Sequence, residues 1–98
     1  MSNEDQIDYW NGEAGRKWTE QAERLDAMLA PFAEAVIAHA DLKSGEFVID
    51  IGCGAGALSL LAAEKVGADK GVLGVDVSAP MLGLAANRAQ QAGLPARF

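Results

Sequence analysis

The chain has 98 residues, a formal net charge of −6 and a composition in which half of the residues are hydrophobic. This length allows one domain at most, and the composition is globular rather than disordered. Scattered basic residues and an acidic balance argue against nucleic acid and anionic membranes as principal partners. The single cysteine, the polar amino terminus and the lack of an apolar run of roughly 20 residues predict a cytoplasmic protein.

The first 41 residues are predicted to form two helices. Apolar side chains recur at helical spacing over residues 13–29, and Pro31 is expected to interrupt this helix. A second helix is predicted for residues 32–39, followed by a turn into the first strand. The sequence thus divides into a helical cap segment, residues 1–41, and a second unit, residues 42–98.

The most informative stretch is a strand predicted for residues 47–51, which carries Asp50 and breaks into Gly52, Gly54 and Gly56. Glycine lets a chain turn tightly off a strand end and leaves no Cβ between its amides and an incoming group. This loop is therefore predicted to form the floor of a ligand site.

A second apolar run, residues 72–75, ends in Asp76, twenty residues after Gly56. At that spacing a carboxylate reaches the two hydroxyls of a bound ribose. Because the carboxyl ends of parallel strands meet at one edge of a sheet, the glycine loop and Asp76 are expected to converge. Together they predict a site for a nucleoside cofactor.

A helix is predicted after each strand, the first ending at Gly67 and the second running from the cap Ser78 to Gly93. A third strand is expected to begin at residues 96–98. This order of elements predicts an α/β fold with an incomplete, doubly wound parallel sheet preceded by two helices.

Residues 45–56 resemble the first motif of class I S-adenosylmethionine-dependent methyltransferases, and residues 74–82 resemble their second motif. The resemblance extends over residues 42–93 with the family's order and spacing, which is more specific than a lone glycine loop. It implies that residues 42–98 are the amino-terminal half of a Rossmann-like domain that binds S-adenosylmethionine, with S-adenosylhomocysteine as product. Residues 9–18 are similar to the segment that covers the cofactor in many small-molecule members.

The resemblance assigns the methionine part of the cofactor to the glycine loop. The backbone of Gly52, Cys53, Gly54 and Gly56 would line it, and Asp50 would orient the loop and the methionine amino group. A simpler reading makes Asp50 a structural acceptor for nearby amides.

The resemblance assigns the adenosine part to the second motif. Asp76 would accept hydrogen bonds from both ribose hydroxyls, and Val77 and Met81 would enclose the adenine. The alternative role of helix cap is already filled by Ser78. Trp10 is a further candidate because aromatic faces attract a sulfonium ion, although it equally suits an anchor for the helices.

For several other residues a structural role is predicted. Trp18 is predicted to lie in the core, and His39, the only histidine, is predicted to be a solvated residue at a helix end. Cys53 shows no sign of an activated thiolate. No metal site is predicted. A site for NAD is the competing cofactor assignment, disfavoured by Asp50 and by the glycine at position 56.

The predicted function is methyl transfer to a small-molecule acceptor, with only the cofactor-binding portion present in this truncated chain. The sequence does not identify the acceptor or the catalytic residues, and the 98 residues alone are expected to be inactive. A non-catalytic binding module and a remnant with an assembly role are the alternatives.

The predicted sheet leaves one edge of its first strand without a neighbour. Such an edge recruits another chain, so a homodimer or a domain-swapped oligomer through strand one is expected. A longer parent protein that supplies the missing strand is the alternative.

Overall fold

The computed structural model describes residues 2–67 and 71–98. Three helices precede the sheet: α1, Asn3–Asn11; α2, Glu13–Glu20; and α3, Ala22–Ala40. Strands and helices then alternate as β1, Val48–Ile51; α4, Ala57–Val66; β2, Val72–Val75; α5, Ala79–Ala92; and β3, Ala96–Arg97.

The amino-terminal helices differ from the prediction. Helix α1 was not predicted because it buries none of its residues, yet Ser2 and Asp5 form a reciprocal capping box at its start. The expected interruption of the helix at Pro31 is wrong, since Pro31 lies inside α3. The helices are separated at Gln21 instead, between the end of α2 and the start of α3. Proline removes one helical hydrogen bond, and α3 nevertheless continues through it to Ala40.

The three strands form a parallel sheet in the order β1-β2-β3. Ile51 pairs with Val75 at the carboxyl ends of β1 and β2, and Val72 pairs with Ala96. The predicted α/β fold with an incomplete, doubly wound sheet is confirmed. Within the described residues β1 has β2 on one side only, and its Ile51 side chain is 84% exposed.

The core is built from small side chains between α4 and the sheet. Its buried cluster comprises Ala62, Ala63, Val66 and Val72. The helix boundaries follow the predicted signals: Ser78 caps α5 by accepting a hydrogen bond from the Met81 amide, and Gly93 ends α5 in the left-handed conformation. Across the described ranges, no helix combines the length and apolarity that crossing a bilayer requires.

Candidate cofactor site at the carboxyl ends of β1 and β2

The two sequence motifs meet at one edge of the sheet, as predicted. Asp76 follows β2, and its Oδ2 accepts a hydrogen bond from the Gly54 amide at 2.8 Å. Its Oδ1 accepts from the Ser78 amide at 2.9 Å. Asp76 therefore joins the glycine loop to the start of α5, a structural role that accompanies any contact with a ligand.

The path of the glycine loop depends on backbone conformations that favour glycine. Gly54 has φ +55°, and a Cβ there would approach the terminal methyl of Met81 to 2.9 Å. Gly56 has φ +89°, and a Cβ there would stand 2.9 Å from the Ala85 side chain. The amides of Gly52 and Cys53 both donate to the Val75 carbonyl, which ties the loop to β2. The loop is thus held close to α5.

Asp50 lies beneath this loop rather than in it. The buried hydroxyl of Ser59 donates to Asp50 Oδ2 at 2.6 Å, which links β1 to α4. Burial and, to a smaller extent, the charges of Asp50 and Asp76 together raise the pKa of the Cys53 thiol from 9.0 to about 11. Cys53 is accordingly a neutral thiol at physiological pH, and it is not an activated nucleophile.

A cleft of about 1070 Å³ opens over the two strand ends. Seven of the nine predicted cofactor residues line it: Trp10, Gly52, Cys53, Gly54, Asp76, Val77 and Met81. Asp50 and Gly56 are not among its lining residues, so their part in the site is to support the loop.

The opposite wall of the cleft comes from the helices, chiefly α3. Its apolar side chains include Leu25, Leu29, Phe32 and Val36. Trp18 also lines the cleft and is 38% exposed, so its predicted place in the core is wrong. It lies edge-on to Trp10 with ring centroids 6.1 Å apart, because the turn at Gly12 brings α2 alongside α1.

Three polar residues near the cleft were missed by the sequence analysis: Asn11, Ser59 and Arg88. Arg88 of α5 pairs with Asp26 of α3 at 2.7 Å and donates to the Ala55 carbonyl of the glycine loop at 3.2 Å. Asn11 contacts the residues on either side of Ser78. Only Ser59 carried a signal in the sequence, as a lone polar residue within the apolar run of α4.

His39, the only histidine of the sequence, is not among the residues that line the cleft. His39 is exposed in the last turn of α3, as predicted. Within residues 2–67 and 71–98, no group of three His, Cys, Asp or Glu side chains is arranged to hold a metal ion.

The residues present fit S-adenosylmethionine. Gly52 lines the cleft, and a Cβ placed on it would meet no atom within 4 Å, so the loop offers open space where other residues would carry a side chain. Helix α4 begins directly after the loop with no side-chain cap, so its positive dipole end is free of a side-chain partner there. The Asp76 carboxylate retains lone pairs for two hydroxyl donors.

Comparison with known proteins identifies the family. The family described as "Methyltransferase domain" matches residues 42–98. Nocamycin O-methyltransferase of Saccharothrix syringae is 38% identical over 64 residues, which are 65% of this chain and 23% of that protein. The chloroplastic 2-phytyl-1,4-beta-naphthoquinone methyltransferase of Arabidopsis thaliana is 46% identical over 46 residues, 47% of this chain and 18% of that one.

A solved structure agrees with the sequence relatives. A SAM-dependent methyltransferase from Aquifex aeolicus superimposes with a TM-score of 0.60 and 30% identity over 67% of this chain and 36% of that chain. The chain thus spans well under half the length of each of these relatives. It belongs to the class I S-adenosylmethionine-dependent methyltransferases, whose cofactor is S-adenosylmethionine.

Proposed function

We propose that this chain supplies the cofactor-binding part of a methyltransferase that acts on an apolar small molecule. The observation that supports this most directly is the shared cleft: the glycine loop and Asp76 form one wall, and apolar side chains of α3 form the other. Cofactor and acceptor would therefore lie side by side in one space.

The proposed residue roles follow from the cleft. The backbone of Gly52, Cys53 and Gly54 binds the methionine part, with Asp50 and Gly56 holding the loop from behind. S-adenosylmethionine, when bound, supplies a methyl group on a positively charged sulfur, an electrophile that needs no further activation. The task of this chain is to orient that group and to exclude water from it.

Asp76 has a double role in this proposal. Its two oxygens already hold the Gly54 and Ser78 amides, so the carboxylate is fixed before a ligand arrives. The remaining lone pairs accept the ribose hydroxyls, and Val77 and Met81 enclose the adenine. Preorganisation of this kind reduces the entropy lost on binding.

The walls of the cleft indicate the class of acceptor. Among its lining residues the titratable side chains are Asp26, Cys53 and Asp76, and no cation lines it. An anionic acceptor would find no ion-pair partner there, whereas an apolar ring or chain would bury against Leu29, Phe32 and Val36. The naphthoquinone named for the Arabidopsis relative is an acceptor of this kind.

We further infer that the 98 residues do not transfer methyl groups at a useful rate by themselves, because the chain spans 23% or less of the two curated relatives. An acceptor site completed by other residues is needed to align the reactants, an effect worth roughly 7–11 kcal/mol in enzymes. A non-catalytic binding module would keep cofactor affinity, and an assembly remnant would lose it.

Calorimetry with S-adenosylhomocysteine tests the proposal. We expect the chain to bind it and the Asp76→Ala variant to bind it at least about tenfold more weakly, because a charged acceptor is lost. Glu64→Ala, which removes an exposed carboxylate of α4, is the matched control and leaves affinity unchanged. Equal affinities for wild type and Asp76→Ala, or tighter binding of NAD, would contradict the assignment.

A further inference from the structure

The amino-terminal segment is bonded to the loop after β2 through one side chain, Asn11. Its Nδ2 donates to the Val77 carbonyl at 2.6 Å, and its Oδ1 accepts from the Ala79 amide at 2.8 Å. The same Nδ2 donates to the Ile7 carbonyl at 2.8 Å, which fixes the carboxamide on the last turn of α1. One side chain thus satisfies two backbone groups that lie on either side of Ser78.

These backbone groups have few other partners available. The Ala79 amide belongs to the first turn of α5, where no carbonyl of the same helix can accept from it. The Ser78 hydroxyl accepts a hydrogen bond from a neighbouring amide, that of Met81, at 3.4 Å. Asn11 therefore completes the cap of α5 from a distant part of the chain.

A second bond holds the same two segments together. The buried hydroxyl of Ser78 donates to the Trp10 carbonyl at 2.6 Å. Gly15 of α2 permits this approach, since a Cβ there would stand 1.8 Å from the Trp10 carbonyl oxygen and 2.9 Å from Ser78 Oγ. Residues 10, 11 and 15 together fit the backbone of residues 77–79.

We propose that Asn11 is a positioning residue for adenine recognition. By holding Val77 and Ala79 it sets the path of the loop that carries Val77, one of the two residues proposed to enclose the adenine. The inference rests on the proposed roles of Asp76, Val77 and Met81. It adds a residue of the cap segment that acts on the adenosine side without touching the ligand.

The test uses two ligands, S-adenosylhomocysteine and S-ribosylhomocysteine, which is the same molecule without the adenine. For Asn11→Ala we expect about a tenfold loss of affinity for the first ligand and less than about a twofold loss for the second. Asn87→Ala, which removes an exposed asparagine of α5, is the control and binds both ligands like wild type. Equal losses for both ligands would show a merely structural role and overturn the proposal.

Amide hydrogen exchange gives an independent measurement on the same variant. The Ala79 amide is expected to exchange slowly in wild type and fast in Asn11→Ala, since its acceptor has been removed. Fast exchange at Ala79 combined with unchanged affinity for S-adenosylhomocysteine would overturn the proposal. If Asp76→Ala also leaves that affinity unchanged, the cofactor assignment itself fails, so the two failures are distinguishable.

Gly15→Ala tests the contact from the other side. The added methyl displaces Trp10 and is expected to reproduce the adenine-dependent loss seen for Asn11→Ala. Gly83→Ala is the control, because a Cβ at this exposed position of α5 meets no atom within 4 Å. Wild-type affinity in Gly15→Ala would show that the approach of α1 to the loop does not matter for adenine.

Discussion

Two regions of the molecule differ in how far their side chains are buried. We call β2 with α5 the enclosed half and β1 with α3 the open half. Around β2 and α5 the inward-facing residues are fully buried, with Val72, Ser78 and Ala85 each 0% exposed, while Val75, at the end of β2 beside the cleft, is 38% exposed. Around β1 and α3 large apolar side chains face outward, with Ile51 84% and Phe32 69% exposed. The enclosed half is made of small residues and hydrogen bonds, and the open half is made of large apolar residues that have no cover among the described residues.

This difference shows that side-chain size does not decide burial in this chain. Small residues such as Gly74 and Ala85 are buried because they let backbone elements approach closely. Large apolar residues on β1 and α3 are exposed, and exposed apolar surface of this kind is where another molecule can pack.

The largest effect is expected on the reactivity of the Cys53 thiol, whose pKa is raised in part by the charges of Asp50 and Asp76. With its pKa raised to about 11 from 9.0, the thiol carries about a hundredfold less thiolate at pH 8 than in the unfolded chain. Alkylation by iodoacetamide should be slower by that factor when compared with the denatured protein. Asp76→Asn should accelerate it in the folded chain; an unchanged rate would contradict the role of the Asp76 charge.

The same shift has a consequence for stability. Because the folded thiol keeps its proton above the pH at which the unfolded thiol loses it, the free energy of unfolding falls as pH rises from about 9 to about 11. Cys53→Ser should reduce this slope in denaturant titrations.

The packing of the enclosed half is tested by enlarging Ala85. Ala85→Leu should lower the free energy of unfolding by about 1–3 kcal/mol, because the site next to Gly56 has no room for added carbons. Ala35→Leu makes the same change at an exposed position of α3 and should cost less than about 0.5 kcal/mol. Equal costs in urea unfolding would show that the two halves are packed alike.

A smaller effect is expected from the ion pair that joins the two halves. Arg88→Met leaves Asp26 unpaired and should cost about 1–2 kcal/mol, since these side chains are only 20% and 34% exposed. Lys17→Met breaks the exposed pair with Glu13 and should cost less than about 0.5 kcal/mol. Thermal unfolding of both variants measures the difference, and the reverse order would refute it.

The smallest effect on folding is expected at Ile51, although its effect on association is large. We propose that the chain on its own forms a homodimer or larger species through β1, and Ile51→Lys should make it monomeric with folding stability changed by less than about 0.5 kcal/mol. Ile7→Lys alters an exposed isoleucine of α1 and should leave association unchanged. Light scattering that finds a cooperatively unfolding wild-type monomer would refute this proposal.

The fold could be predicted from the sequence wherever local patterns decide the structure. The strands, the glycine loop and the caps at Ser78 and Gly93 depend on residues within one or two turns of each other, and they were placed correctly. Helix α1 and the passage of α3 through Pro31 were not predicted, because α1 has no buried apolar stripe and because a proline usually ends a helix.

The candidate site could likewise be predicted only where the spacing of motifs decides which residues meet. Gly54 and Asp76 were expected to meet because parallel strands end at one edge of a sheet, and they do. The contacts of Asn11 join residues 66 and 68 positions apart, and no spacing rule relates such positions in a single sequence. The Arg88 contact with the Ala55 carbonyl, 33 positions away, escaped prediction for the same reason.

Pro31 also divides α3 into two lengths that differ in what they hold. Because proline has no amide hydrogen, the Ala27 carbonyl accepts no hydrogen bond from it, and the helix lacks one backbone hydrogen bond at this point. The first length carries Leu25 and Asp26 of the cleft wall, and the second packs Ile37 against the core cluster. The second length also carries Phe32 and Val36 of the cleft wall, so the packing of Ile37 on the core fixes where these two side chains stand in the cleft.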